Sequence, residues 1–246
     1  MATSVMLQKL GEGMVTSLWI FAATLIFSLP LGLLISFGRM SKNKIISTIF
    51  KLYISVMRGT PLMLQLMVIY FGPFYILGVQ ISQSWKNMAV AIGFVLNYAA
   101  YFAEIYRGGI ESMPQGQYEA AKILGYTKAQ TFIRIILPQV IKRILPAITN
   151  ETITLVKDTS LAFTIGVTEM FTMAKALASG QVSMLPYAFA ALFYYILNLV
   201  VAFIMERIEK KIIIGRRKSH ESSGNKKCEE KFWRSGSIKR HFSKSR

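Results

Sequence analysis

Apolar residues in this chain do not alternate with polar ones; they come in long unbroken runs. Residues 13–38 carry no charge between Glu12 and Arg39, residues 59–85 none between Arg58 and Lys86, and residues 176–205 none between Lys175 and Glu206. Each run exceeds the roughly 20 residues that a helix needs to cross a hydrocarbon core. A shorter run, 87–103, stays apolar as far as Ile105 and can also span. The fifth, 135–156, is interrupted by Lys142, Arg143 and Glu151 and contains Pro138 and Pro146. Such a segment is tolerable only where it faces protein or a water-filled cavity. The pattern predicts an all-α integral membrane protein with five spans, at about 14–38, 59–82, 88–108, 135–157 and 183–206. Residues 159–168 are too short to cross and read as a connector or re-entrant piece.

Composition agrees: 53% of the 246 residues are apolar and 17% charged, yet the net charge is +17. A nucleic-acid-binding protein would carry such an excess on a polar surface, so nucleic acid is not an expected partner. The excess sorts by loop. Arg39, Lys42, Lys44 and Lys51 follow the first span, Arg107, Lys122, Lys128 and Arg134 follow the third, and fourteen basic residues lie from Arg207 onward, whereas the alternate loops hold only Lys86 and Lys175. Cytoplasmic loops retain Lys and Arg, which predicts an N-terminus outside and a C-terminus inside. One Cys and two His, both His in the tail, leave no basis for a disulfide framework, a metal site or His-based catalysis. No cofactor is expected.

The cytoplasmic stretch between the third and fourth spans carries the most information. It reads Glu119-Ala120-Ala121, three residues, Gly125, nine residues, then Ile135-Ile136-Leu137-Pro138. Physically this is a short amphipathic helix over about 115–129, closed by a Gly suited to the left-handed conformation. Ala120 and Ala121 would let the helix lie close against another surface, and Glu119 would offer that surface a carboxylate. On composition alone it is an ordinary interfacial helix. The full spacing, however, resembles the EAA loop of importer-type ABC transporter permeases. The flanks GEGMVTSL (11–18), RGTPLMLQ (58–65), AYFAEIYRGGIESMPQGQYEAAKILG (100–125) and LVKDTSLAFTIGV (155–167) resemble the polar amino-acid branch, and the similarity covers roughly residues 5–213. It implies a type I permease core, dimeric with an identical or paralogous subunit, in a bacterial cell membrane. It also implies a coupling helix that docks on a cytoplasmic ATP-binding subunit, through Glu119, Ala120, Ala121, Gly125, Ile135, Leu137 and Pro138, and an extracytoplasmic amino-acid-binding protein. The chain contains no G-x-x-x-x-G-K-[ST] loop, so ATP hydrolysis is expected in the partner and not here.

Ionisable residues within spans are candidate functional groups. Glu104 lies about 24 Å along its helix from Met88, with Arg107 at i+3 to pair with it, which favours a structural ion pair. Arg58 is explained by snorkelling to the interface. Gly59 and Pro61 fit a break near Gln65, a candidate for the substrate pathway. Glu151 and Asp158, seven residues apart, fall within about 20° on one helical face, with Thr154 between them. On a cavity-lining face the two carboxylates would attract an ammonium group; alternatively Asp158 pairs with Lys157 or a nearby Arg at the outer end of the span.

The permease region is expected over 1–214. Residues 215–246 form a basic tail of the kind that does not fold, attracted to anionic membrane lipid or without a role. A five-span membrane enzyme and an ion channel are the competing classes; the first lacks a catalytic dyad, and the second has no need of an EAA loop.

Overall fold

The structure is a computed structural model that describes residues 3–80 and 82–212. The tail at 215–246 lies outside them. Among the described residues the chain is helical throughout, without strands. The chain divides at Phe203: the described residues up to it form one compact unit, and residues 204–212 are the described part of a second.

The first helix, α1 (Thr3–Arg39), is apolar around most of its circumference. Its buried stripe is small and hydroxylated instead: Ser17, Thr24, Ser28 and Ser36 are all at most 1% exposed, and Gly13 and Gly32 continue the series. In lipid, where tails are as apolar as Leu, close backbone approach takes the place of the hydrophobic drive between helices. The hydroxyls cost little because several bond to their own helix, as Thr24 Oγ1 does to the Ile20 carbonyl at 2.7 Å. The partner is α4 (Gln83–Glu111), which presents Ala99, Ala100 and Ala103, all fully buried. A Cβ on Gly32 would lie 3.0 Å from the Ala99 carbonyl oxygen.

Residues near Thr16 meet Asn87 and Gly32 meets Ala99, so α1 and α4 run parallel. Arg39 and Arg107 therefore lie towards the same end of the bundle. Between them in sequence, α2 (Lys44–Gly59) crosses α4 near Leu96 and Asn97, and α3 (Leu62–Leu77) returns along α4 in the opposite direction. Tyr53 donates to the Leu96 carbonyl, and Trp85 Nε1 donates to the Tyr70 carbonyl at the far end. The two helices meet at 110° across Thr60 and Pro61. The crossing expected over 59–82 falls almost wholly in α3, and α2 ends ahead of it because Pro61 has no N–H to continue that helix and fixes its own φ.

After α4 come α5 (Gln115–Ile123), a single turn α6 (Lys128–Gln130) and a π-helical turn (Thr131–Ile136) that feeds α7 (Leu137–Asp158). Val140 and Ile144 of α7 pack on Gly109, and Asp158 reaches Tyr98, so α7 climbs back along α4. It stops at Asp158, near mid-depth of α4. A 3-10 helix (Thr159–Ile165), with Thr159, Ala162 and Ile165 buried, continues to Gly166, whose carbonyl accepts from Lys86 at the far end. The 159–168 connector thus completes a path that α7 begins. The helices α8 (Met170–Gln181) and α9 (Leu185–Ile212) follow. In the second unit, Lys210 pairs with Glu206 one turn earlier.

Among the described residues three helices are long and apolar enough to cross a membrane, Ser4–Arg39, Ser84–Glu111 and Leu185–Ile212, and the bent α2–α3 pair makes a fourth where it counts as one span.

Gly13 is the tightest backbone contact of the bundle: a Cβ there would lie 2.7 Å from Met170 Cα and 2.8 Å from Met170 N. Backbone on both sides cannot yield as a flexible side chain can. Gly13→Ala should therefore destabilise the fold by about 1–3 kcal/mol. Gly11→Ala, with nothing within 4 Å, should be neutral or slightly stabilising. Thermal melting of the two variants in detergent gives the comparison, and equal melting temperatures would show that α1 and α8 do not pack this closely.

Candidate functional site

Two regions hold the residues singled out from the sequence. The first is the loop at the Arg39–Arg107 end. Helix α5 ends in a Schellman motif: the Tyr126 N–H bonds the Ala121 carbonyl at 3.0 Å, and the Gly125 N–H bonds the Lys122 carbonyl at 3.0 Å. Gly125 adopts φ +78°, as that motif requires. The expected single helix over 115–129 is accordingly split, and a capping box of Thr127 and Gln130 starts the chain again. Glu119 and Ala120 are exposed, but Ala121 is 2% exposed. The two alanines therefore serve different surfaces, Ala121 against this chain and Ala120 outward. Ile135, Leu137 and Pro138 are half-buried at the start of α7.

What the sequence reading missed here is apolar. Ile123 is 87% exposed and Leu124 73%, beside Glu119 and Ala120 on a helix whose Ala121 faces inward. The signal was present as two large aliphatics following Lys122 at the helix end, on a polar loop where nothing of this chain covers them. Exposed aliphatics grouped with a carboxylate are the makings of a protein-docking surface.

The second region lies at mid-depth. Tyr98 is fifteen residues from one end of α4 and thirteen from the other, about 22 Å and 20 Å along the axis. Asn97 and Tyr98 each hold one interrupted helix. At the α2–α3 break, Gln65 Nε2 lies within reach of the Met57 carbonyl (3.0 Å), the Thr60 carbonyl (3.0 Å) and Thr60 Oγ1 (2.7 Å). Asn97 Nδ2 donates to Gln65 Oε1 at 2.9 Å and to the Met57 carbonyl at 3.1 Å. Carbonyls orphaned at the end of α2 are thereby satisfied without water. Gln65 is 8% exposed, and its amide is engaged in this repair.

At the other interruption, Tyr98 donates to Asp158 Oδ2 at 2.8 Å where α7 passes into the 3-10 helix. Asp158 thus takes its hydrogen bond from a tyrosine near the middle of α4, and Lys157 beside it is exposed. Glu151 lies two turns down α7, half-buried, with Thr154 half-buried above it. Arg58 is exposed and lies over the Tyr101 ring, 5.3 Å from its centroid. It borders a cleft of about 470 Å³ with Tyr101, Glu104 and Ser55. Arg107 bonds Glu104, with Nε to Oε2 at 3.0 Å, and also reaches Glu111. The Glu104–Arg107 pair expected from the sequence is present. Asn97 was legible as a lone amide inside an apolar run, whereas Tyr98 was hidden among the aromatic residues of its span.

One more carboxylate escaped notice. Glu169 is fully buried and caps α8, accepting from the N–H groups of Phe171 (2.6 Å) and Thr172 (2.7 Å), from the Thr172 hydroxyl and from Tyr194 of α9. Burial pushes its carboxyl up, and these four donors oppose that shift. Among the described residues no cluster of His, Cys, Asp and Glu could hold a metal ion.

Residues 28–214 match the family model of the binding-protein-dependent transport system inner membrane component. The chain belongs to this family. The permease is 39% identical over 202 residues to the arginine transport system permease protein of Bacillus subtilis, spanning 82% of this chain and 91% of that one. It is 37% identical over 204 residues to a Rickettsia felis protein named as a glutamine transport system permease, spanning 82% and 92%. The crystal structure of an amino acid ABC transporter superposes with a TM-score of 0.77 at 31% identity, covering 86% of this chain and 99% of that one. The inward-facing MetNI methionine transporter shares the fold at a TM-score of 0.69 and 19% identity, with the same coverage. The chain is thus a multi-pass component of a bacterial inner membrane and a transport subunit; in this family ATP hydrolysis belongs to a separate subunit.

If Asn97 and Gln65 jointly close the helix break, either change alone should expose the same unpaired groups. Asn97→Leu and Gln65→Leu should each cost about 1–3 kcal/mol, and the double variant should cost clearly less than the two combined. Melting temperatures of the four proteins in detergent measure this, and strict additivity would separate the two residues.

Proposed function

We propose that this permease is the membrane subunit of an ATP-driven amino-acid importer, with five crossings, the N-terminus outside and the C-terminus in the cytoplasm. The chain works beside a second permease subunit, identical or paralogous. An extracytoplasmic binding protein delivers the amino acid, and a cytoplasmic ATP-binding subunit supplies the energy. The observation that carries this reading is the α5 surface, where Glu119, Ala120, Ile123 and Leu124 are exposed together on a helix braced by Ala121 and terminated by Gly125. Its position supports the topology: α1 and α4 run parallel, so the loop and the basic residues Arg39 and Arg107 share an end, the cytoplasmic one under the positive-inside rule. The bent pair α2–α3 counts as one crossing, and α7 with its 3-10 extension as the polar fifth. In this arrangement α5 is the coupling helix. Ile135, Leu137 and Pro138 form the joint by which its movement enters α7, and closure of the ATPase pair rocks the bundle as rigid bodies.

The mid-depth face is the substrate route. Interrupted helices at the bilayer centre are where transporters place their sites. Glu151 and Asp158 draw the ammonium group, Arg58 on its tyrosine platform draws the carboxylate, and Thr154 lines the path. Gln65 holds the break that shapes this face and does not touch the solute. The relatives named for arginine and glutamine transport support a polar amino acid as cargo.

Two measurements on the complex reconstituted in liposomes test these assignments. Glu119→Lys should leave the permease inserted and the bundle intact while stimulation of the ATPase by loaded binding protein is lost; retained stimulation would remove α5 from the coupling role. Glu151→Gln should lower uptake of a cationic amino acid more than that of a neutral one, and equal uptake of both would dismiss charge selection at this residue.

A further inference from the structure

Between α5 and α7 the backbone is a poor transmitter of force. It passes through the left-handed Gly125, one turn of helix and the π-helical turn, in which the Leu137 N–H reaches back five residues to the Phe132 carbonyl. Pro138, next in line, has no N–H to give. A π turn is wider than an α turn and occurs mostly as a single interruption. A push delivered to α5 along this route would be absorbed by the turn.

The side chains offer a shorter path. Gln117, on the first turns of α5, and Gln139, on the first turn of α7, face each other as a reciprocal amide pair across 22 positions of sequence. Gln117 Nε2 donates to Gln139 Oε1 at 3.1 Å, and Gln139 Nε2 donates to Gln117 Oε1 at 2.9 Å. The second proton on Gln139 Nε2 goes to the Ile135 carbonyl at 2.8 Å. That third bond settles which way the Gln139 amide points, since the flipped amide would set two oxygens against each other. Both side chains are half-buried. A packed cluster lies beside them, with Met113, Ile136, Val140 and Ile144 buried and Tyr118 against them. Arg143 adds a bond to the Ser112 carbonyl at 3.2 Å, fixing the start of the loop to the same part of α7.

We propose that the Gln117–Gln139 pair is the strut through which displacement of α5 is passed to α7, bypassing the π turn. Two antiparallel N–H···O bonds between planar amides resist both shear and twist, which a single hydrogen bond or an apolar contact does not. The bond to the Ile135 carbonyl anchors the strut on the backbone at the junction of the π turn and α7. Gln117 and Gln139 are positioning residues in this scheme; they touch neither ATPase nor solute. The inference rests on α5 being the coupling helix.

The test uses the full complex in liposomes, with amino-acid uptake per ATP hydrolysed as the readout and co-purification of the ATP-binding subunit as the control for docking. Gln117→Leu and Gln139→Leu keep side-chain volume and remove the paired bonds. Each is expected to lower uptake per ATP roughly tenfold, the scale of two neutral hydrogen bonds, while the ATP-binding subunit still co-purifies. The double variant Gln117→Glu with Gln139→Lys rebuilds a strut, since a Lys ammonium can donate to both the Glu carboxylate and the Ile135 carbonyl, and should recover most of the loss. Wild-type uptake per ATP in both Leu variants would overturn the strut, as would loss of co-purification, which would mean that the pair shapes the docking surface instead. Should a Leu variant fail to insert, Gln117→Asn and Gln139→Asn, one methylene too short to meet, give the same comparison. Glu119→Lys, measured alongside, fails separately: intact coupling there would remove the docking assignment, whatever the strut variants do.

Discussion

A hydrocarbon interior supplies no water, so any backbone group released by a helix break must find a partner inside the protein. The whole arrangement around α4 can be read from that constraint. Two helices that run against α4 are interrupted at the same depth, one at Thr60 and Pro61, the other at Asp158 and Thr159. Adjacent residues of α4, Asn97 and Tyr98, point to the two interruptions and bond to them. The central helix thus acts as the template that lets its neighbours be discontinuous, and discontinuity puts carboxylates, a guanidinium and hydroxyls at a depth that continuous apolar helices would exclude. The cost of a charge in lipid is met by giving such groups a neighbour: Arg58 has a tyrosine ring, Asp158 has the Tyr98 hydroxyl, and Glu104 has Arg107.

The same logic orders the loop at the Arg39–Arg107 end. It lies outside the core, where backbone groups can turn to water, so irregular geometry is permitted: a left-handed glycine, a capping box, a π turn. Within it α5 stays firm because Ala121 packs inward and Gln117 is tied to α7. A rigid short helix on a pliable tether suits a contact that must move as a unit. At the opposite end Glu169 plays the corresponding part for α8, gathering two backbone N–H groups and two hydroxyls around one buried carboxylate.

Much of this could be read from the chain alone. Charge-free runs located the long helices, since hydropathy over about 20 residues is a strong signal. The left-handed Gly125 followed from the end of a short amphipathic segment, and the Glu104–Arg107 pair from i,i+3 spacing. Other features were invisible for definite physical reasons. Lys44, Lys51 and Arg58 made α2 look like a loop, because a helix with one charged side has no apolar run. The division of labour between Ala120 and Ala121 depends on the helix rotation, which two adjacent alanines do not reveal. The Tyr98–Asp158 bond was hidden because its two members stand 60 positions apart on different helices. That the Gln65 amide repairs a helix end was hidden too, because only the path of the backbone brings it to the carbonyls of Met57 and Thr60.

The parallel course of α1 and α4 has a consequence for how such a chain is made. Parallel neighbours cannot form as a hairpin, so α1 must enter the membrane and wait until α2, α3 and the first turns of α4 have been synthesised and threaded. Throughout that interval its hydroxylated stripe, from Ser17 to Ser36, faces lipid or the insertion machinery without the alanines that later cover it. The bonds from its hydroxyls to its own carbonyls, such as that of Thr24, make the exposed stripe tolerable in the meantime. A surface built for close packing is thus also one that can be stored until its partner helix arrives.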